Sequence, residues 1–269
     1  LPVTSGNYLK ILENFTLPLH PVLVFIVVLA RIGGLVTFAP FWSHNAASPK
    51  IRIVLALTLA LLMTPIISSR IDTPPSESMA LVAVLVGEII IGLLMGFVGK
   101  IVFGAFEIAA FFVASQMGFS LAGTIDPSTQ AQTTAFGTIA QMMALMVLLA
   151  ADGHYWFLGA TIKSFSDVAP GEFVMNGQIL DILLRLSANS LTVGVTLAAP
   201  AIIILLVVEF ALEFFGKTAP QFQVFLLGFP IKIGVGLWLI GGSLYFIPSS
   251  MRNVLSNIYH GLTQILGAM

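Results

Sequence analysis

Cysteine is absent from the chain, which excludes disulfides, thiol nucleophiles, Fe–S clusters and cysteine-ligated zinc together. Charge is almost as scarce. Only 11 basic and 12 acidic residues occur among 269, or 9%, where soluble domains carry about 25%. So few charges cannot cover the surface of a water-soluble monomer. With a formal net charge of −1 and no run of Lys or Arg, neither nucleic acid nor an anionic membrane surface is the main partner. Histidine is thin as well. His20, His44, His154 and His260 are far apart, and no H-E-x-x-H, G-x-S-x-G or phosphate-loop pattern occurs. The paired carboxylates or Ser/His pair that intramembrane proteolysis needs are also missing. Catalytic, metal-ligating and cofactor-binding residues are therefore expected to be none.

Apolar side chains fill the space that charge leaves. They make up 58% of the chain, and the mean hydropathy is +1.03. A membrane-spanning helix needs about 20 mostly apolar residues. Six stretches qualify or come near: Val22–Trp42, Ile51–Ile67, Met79–Phe106, Ala135–Ala151, Ala188–Val208 and Val224–Ile247. Met251–Met269 is mixed and reads as a short amphipathic tail helix. The first stretch is a span and not a signal peptide, because no polar domain follows a cleavage site. Loops are expected at Ser43–Lys50, Ser68–Ser78, Ala122–Thr134, Asp152–Gly177 and Gly216–Gln223, where Pro, Gly, Asp, Ser and Thr gather. The fold class is all-α: a polytopic hydrophobic helical protein with about six long apolar helices. Basic residues are scattered singly and give a weak orientation signal. A weakly biased polytopic chain, or helices held by partner helices instead of lipid, would both produce it.

Charges inside apolar segments cost about 2.5–3.5 kcal/mol each at a helix centre. Arg31, Glu88, Lys100, Glu107, Glu209, Glu213 and Lys232 fall in or beside such segments and are grouped as buried charges. Lys100 and Glu107 are two helical turns apart on nearly one face, and Glu209, Glu213 and Lys217 recur every fourth residue. A proton or ion relay and simple interhelical pairing both fit. The dispersal along the chain favours pairing. Lys232, just after a helix-kinking Pro230, calls for a carboxylate such as Glu209, Glu213 or one from a neighbouring chain.

Small residues recur at close-packing intervals. Gly92 and Gly96 form a G-x-x-x-G pair, and Gly194 with Ala198 repeats the spacing, which lets helix backbones approach. Pro200 and Pro230 interrupt two helices, and broken helices at membrane depth are tolerated only inside protein or along a cavity. The segment Gln116-Met117-Gly118-Phe119-Ser120-Leu121-Ala122-Gly123-Thr124-Ile125-Asp126-Pro127 is uncharged apart from Asp126, with bulky and small residues interleaved. Composition leaves it as a solvent turn ending at Asp126-Pro127, or as a segment that lines or blocks a pore.

The chain resembles the FliR/SctT family, membrane components of the flagellar type III export gate and of injectisomes. The resemblance runs along nearly its whole length. It rests on Ala30-Arg31-Ile32-Gly33-Gly34 with Ala39-Pro40, on Pro49-Lys50-Ile51-Arg52, and on Gln116-Met117-Gly118 leading to Asp126-Pro127. It continues through Asp152-Gly153-His154 and Ala199-Pro200. The most specific piece is Ala219-Pro220-Gln221-Phe222-Gln223-Val224-Phe225, followed by Gly228-Phe229-Pro230-Ile231-Lys232. Lys217 departs from the arginine that the family often has ahead of Ala-Pro-Gln, and a lysine there cannot make the bidentate contact open to a guanidinium.

The resemblance implies more than composition does. It implies a fusion of two sibling subunits: residues 1–180 FliP-like, with a channel plug at 116–134, and residues 181–269 a FliQ-like hairpin plus the amphipathic helix, as one integrated unit. It implies no enzyme activity and no cofactor. The implied partners are FliP and FliQ homologues, FlhB, and unfolded flagellar proteins in transit. The implied location is the bacterial inner membrane, within the flagellar basal body. On this reading Gln116–Thr134 is the gate rather than a turn. An injectisome subunit of SctT type is the near alternative. A secondary transporter of a small solute is the distant one, and the clustering of Pro200 and Pro230 in the C-terminal part speaks against its two matching halves.

Overall fold

The computed structural model describes residues 19–40, 48–68, 77–119, 135–150, 152–218, 224–243 and 247–269. Among these residues every regular element is an α-helix: α1 Leu19–Phe38, α2 Pro49–Ile67, α3 Ser78–Gln116, α4 Ala135–Ala150, α5 Gly153–Asp167, α6 Gly177–Thr218, α7 Val224–Ser243 and α8 Ile247–Leu266. The all-α expectation holds.

Four of these helices are long and apolar enough to cross a membrane: His20–Phe38, Pro49–Ile67, Ser78–Gln116 and Gly177–Thr218. The bent pair Gln141–Ala150 and Gly153–Asp167 makes a fifth if it is one broken span. Two shorter apolar helices accompany them among the described residues. With 16 residues, α4 reaches about 24 Å at 1.5 Å per residue, short of a core about 30 Å thick. In α7, a helix of 20 residues, the described apolar part is Leu227–Gly242. Two helices run longer than the apolar stretches within them: α3 has 39 residues and α6 has 42, about 58 Å and 63 Å. Pro200 lies inside α6 and Pro230 inside α7, and both helices continue past them.

A second correction concerns Asp152–Gly177, expected as a loop. Most of it is α5. Asp152 takes φ 57, a left-handed turn residue, and the helix starts at the next position. Phe157, Ala160, Thr161, Ser164, Phe165 and Val168 are buried at intervals of three and four, the period of a helix with one inward face.

The chain packs as two units, each described by itself. The first comprises Leu1–Gly96 and Thr161–Met175. Within it α1 lies against α2, and Val24, Val27, Val28, Ile32 and Leu35 form the buried stripe of α1. The crossing of α1 with the first half of α3 is made by backbone. A Cβ built on Gly96 would stand 2.6 Å from the Leu35 carbonyl oxygen, one on Gly34 2.8 Å from the Leu93 nitrogen, and one on Gly92 would overlap the Arg31 carbonyl. The Gly92/Gly96 spacing thus serves close helix approach.

The second unit comprises Phe97–Ala160 and Asn176–Ala268. The second half of α3 meets α6 at Gly194, where an added Cβ would stand 2.8 Å from the Ala105 carbonyl, and Ser190 Oγ donates to the Ile101 carbonyl at 2.6 Å. Helix α7 packs along α6, and α8 lies on α4 and α6. The amphipathic character of the tail holds: Ile258, Leu262, Ile265 and Leu266 are buried, and Tyr259 meets Trp156 edge-on at 5.7 Å.

Candidate functional site

The end of α3 is where the candidate gate segment begins. Met117 N–H donates to the Val113 carbonyl at 3.0 Å, Gly118 N–H to Ser115 at 3.1 Å, and Phe119 N–H to Ala114 at 3.1 Å. With Gly118 at φ 92, this is the six-to-one and five-to-two pattern of a Schellman helix stop. Only a residue without a Cβ takes that φ at little cost. Met117 is fully buried among Val113 and Ala114 of α3 and Ala198 and Leu205 of α6, with Phe119, Ile202, Ile233 and Ile240 packed around them. Gln116, Met117, Gly118 and Phe119 are thus placed. Ser120, Leu121, Gly123, Asp126 and Pro127 lie outside the described residues.

Beside this anchor runs the α6–α7 pair. Lys232 Nζ donates to Glu209 Oε1 at 2.7 Å, so of the two carboxylates on α6 the lysine takes Glu209. Glu213 is exposed. Pro230 is exposed, Gly228 and Phe229 are half-buried, and Phe225 lies in the first turn of α7. Ala219, Pro220 and Gln221 lie outside the described residues. Across α3 and α4, Gln141 Nε2 donates to Glu107 Oε1 at 2.5 Å.

The first unit holds a different kind of charge site. Arg31 donates to both oxygens of Glu88, from Nε at 2.5 Å and from Nη2 at 3.0 Å. Its Nη1 donates to Ser164 Oγ at 3.0 Å and its Nη2 also to the Val168 carbonyl at 3.1 Å. The Phe165 ring lies 3.9 Å below the guanidinium carbon. Arg31 and Glu88 are both 0% exposed. Two-pronged pairing of this kind is the strong geometry for a guanidinium and a carboxylate. Such a clasp fixes α1, α3 and the end of α5 in register.

The grouped buried charges therefore divide. Arg31 and Glu88 are enclosed and paired, and Lys232 and Glu209 are half-enclosed and paired. Lys100, Glu107 and Glu213 are exposed on this chain, a correction to their placement as buried. An apolar stretch alone does not tell which face a charge occupies. Sequence reasoning does not bring Ser164, Phe165 and Val168 to the Arg31 site, because the turn and polar residues of their segment read as a loop. Their three- and four-residue spacing was the available signal. Among the described residues no group of three or more His, Asp or Glu stands where it could hold a metal ion.

The sequence profile of bacterial export proteins, family 1, matches residues 22–258. The flagellar biosynthetic protein FliR of Bacillus subtilis is 31% identical over 250 residues, covering 90% of this chain and 93% of that protein. The protein of the same name from Caulobacter vibrioides is 30% identical over 244 residues, covering 91% and 96%. The Yop proteins translocation protein T of Yersinia pestis is 27% identical over 224 residues, covering 82% and 85%. These matches extend through both packed units, and the family is one of export proteins, not of enzymes. The chain belongs to the bacterial export proteins, family 1, the family of its FliR and Yop translocation relatives.

Proposed function

We propose that the chain is a non-enzymatic subunit of the flagellar type III protein export gate. On this reading it forms, with FliP and FliQ homologues and next to FlhB, the channel that passes unfolded flagellar proteins across the bacterial inner membrane. The observation that carries the reading is coverage. Relatives named for flagellar biosynthesis match about nine tenths of this chain and more than nine tenths of their own length. The same matches favour flagellar over injectisome use, because the Yersinia relative covers less of the chain.

The division into a FliP-like part, residues 1–180, and a FliQ-like part, residues 181–269, belongs to the same proposal. It is supported by the α6–α7 pair, two long helices joined through the Ala219-Pro220-Gln221 motif and pinned by Lys232 and Glu209. So does the gate role of Gln116–Thr134. A channel wide enough for an unfolded chain leaks ions unless something fills it at rest. The segment starts from a rigid anchor at Met117 and carries no Lys, Arg or Glu, so filling a lumen with it buries no unpaired cation.

The test is co-expression with the FliP and FliQ homologues. One copy of this chain should co-purify with several copies of each, and the chain alone should be unstable in detergent. A stable, monodisperse homo-oligomer that moves a small solute in liposomes would overturn the proposal.

A further inference from the structure

The Pro49-Lys50-Ile51-Arg52 motif opens α2, and the export reading gives it no task. Within the first unit α2 is less enclosed than α1. The chain buries 22% of its most apolar window, against 44% for α1. Ala56, Ala60, Met63 and Ile67 form its buried side. On the other side Lys50, Val54, Leu57 and Leu61 follow at intervals of four, three and four, one line along the helix, and all four are exposed. A cation thus heads a row of apolar side chains. From Lys50 to Leu61 the axis runs about 16 Å at 1.5 Å per residue, close to one leaflet of a hydrocarbon core about 30 Å thick.

Charge on α2 is one-signed and confined to this end. Lys50 and Arg52 stand in its first turn, and Ile53–Ile67 carries no charge. The first turn holds no acid, and the sequence has no Asp or Glu from Asn14 to Ile71. Among the described residues no ion pair involves Lys50. A helix N-terminus already carries a partial positive charge and ordinarily attracts acids. Here two cations add to it, Lys50 on the open side and Arg52 half-buried on the other. The open side of this end is complementary to an anion.

The side chains below Lys50 favour lipid over a neighbouring helix. Helices in a membrane approach through small residues, as α1 and α3 do at Gly34, Gly92 and Gly96. Helix α2 has no glycine, and both of its alanines, Ala56 and Ala60, are on the buried side. Thr58 is exposed, but its hydroxyl donates to the Val54 carbonyl of its own helix at 2.8 Å and so bonds within α2.

We propose that the open side of α2 seats an anionic phospholipid. Lys50 and the positive helix end take the headgroup phosphate, and an acyl chain lies along Val54, Leu57 and Leu61. The net charge of −1 gives the chain no broad attraction to anionic membranes, so the preference is local to this one helix end. It places α2 at the lipid boundary of any complex that the chain joins, and it stands whether or not that complex exports protein.

Because the chain has no cysteine, Leu57→Cys puts a single thiol on the line, two turns below Lys50. The full chain, purified with partner subunits free of cysteine, carries a fluorophore at that thiol. It is placed in phosphatidylcholine vesicles holding a minor fraction of brominated phosphatidylglycerol or, in parallel, of brominated phosphatidylcholine. The anionic lipid should quench as if enriched about fivefold at the helix, the factor that one basic residue contributes near an anionic surface. Lys50→Gln should bring the two lipids to equal quenching, Lys50→Arg should keep the preference, and added salt should narrow it. Lys50 is exposed, so both variants should purify in normal yield. Equal quenching with Lys50 in place would overturn the seat, because α2 would then meet the bilayer without selection. Quenching by neither lipid would overturn it as well, since protein would cover α2. A preference that survives Lys50→Gln would remove Lys50 from the headgroup contact and overturn the proposal as stated.

Discussion

Arg31 carries a cationic guanidinium with five N–H donors, so burying it is tolerable only if those donors are spent. Four hydrogen bonds spend four of them, and the Phe165 ring covers the guanidinium face. Breaking a fully buried pair costs about 3–5 kcal/mol because the remaining charge is left without compensation. Arg31→Met should therefore lower the melting temperature of the purified complex sharply. Arg31→Lys should rescue it only in part, since an ammonium cannot reach both Glu88 oxygens as a fork does. Arg31→Met combined with Glu88→Leu should recover most of the loss. Lys232→Met should cost less than Arg31→Met. The Lys232 and Glu209 side chains remain 16% and 36% exposed, so water already shares in solvating the pair. An Arg31→Met complex melting like the wild type would show that Glu88 finds another partner. At this scale the sequence singled out the right residues by their insertion cost. It could not pair Arg31 with Glu88, because 57 positions of chain carry no periodic relation from one to the other.

Helices add a constraint that single residues do not show. The crossing of α1 and α3 depends on three glycines, and Gly92 is the tightest, since its missing Cβ would sit in the Arg31 backbone. Backbone cannot rotate away as a side chain can. Gly92→Ala should thus push α1 off α3, disturb the clasp made by the Arg31 side chain itself, and cost about 1–3 kcal/mol or more as overpacking. Gly104 is on the same helix, with nothing within 4 Å of an added Cβ. Gly104→Ala should therefore leave complex yield and melting temperature unchanged or slightly raised, as expected where glycine weakens a helix interior. Equal effects of the two substitutions would mean that helix propensity, not the crossing, governs this helix. The G-x-x-x-G spacing made this crossing readable in advance. The extent of α3 and α6 was not, because both helices continue past the ends of their apolar stretches, and α6 begins with polar residues before Ala188. Helix α5 was hidden for a local reason: Asp152 and Gly153 are turn residues, and Ser164, Ser166 and Asp167 lowered the apolar density of a segment whose buried face is still strictly periodic.

For the molecule as a whole, the question is what covers the apolar surface left over once the two units have packed. In α1, 44% of the most apolar window is buried by the chain itself, while in α6 the figure is 17%. Ile203, Val207, Phe210 and Phe214 of α6 and Leu61 and Leu62 of α2 are all largely exposed. Lipid would cover such faces in a conventional membrane bundle, and neighbouring helices would cover them in an export gate. The two differ in a way composition cannot show, since lipid tails and leucine side chains are equally apolar and give no hydrophobic preference. The export-gate proposal decides between them: on it the α6 face is expected to be covered by protein, which would also leave the basic residues without a bilayer to order them. A photoreactive side chain at Leu191, Ile203 or Phe210 should capture another subunit of the complex in intact cells. At Leu61 and Leu62 the same probe tests α2 separately. Capture of lipid alone at every α6 position, in a complex that still exports, would show that α6 faces the bilayer and that the weak orientation signal has some other cause.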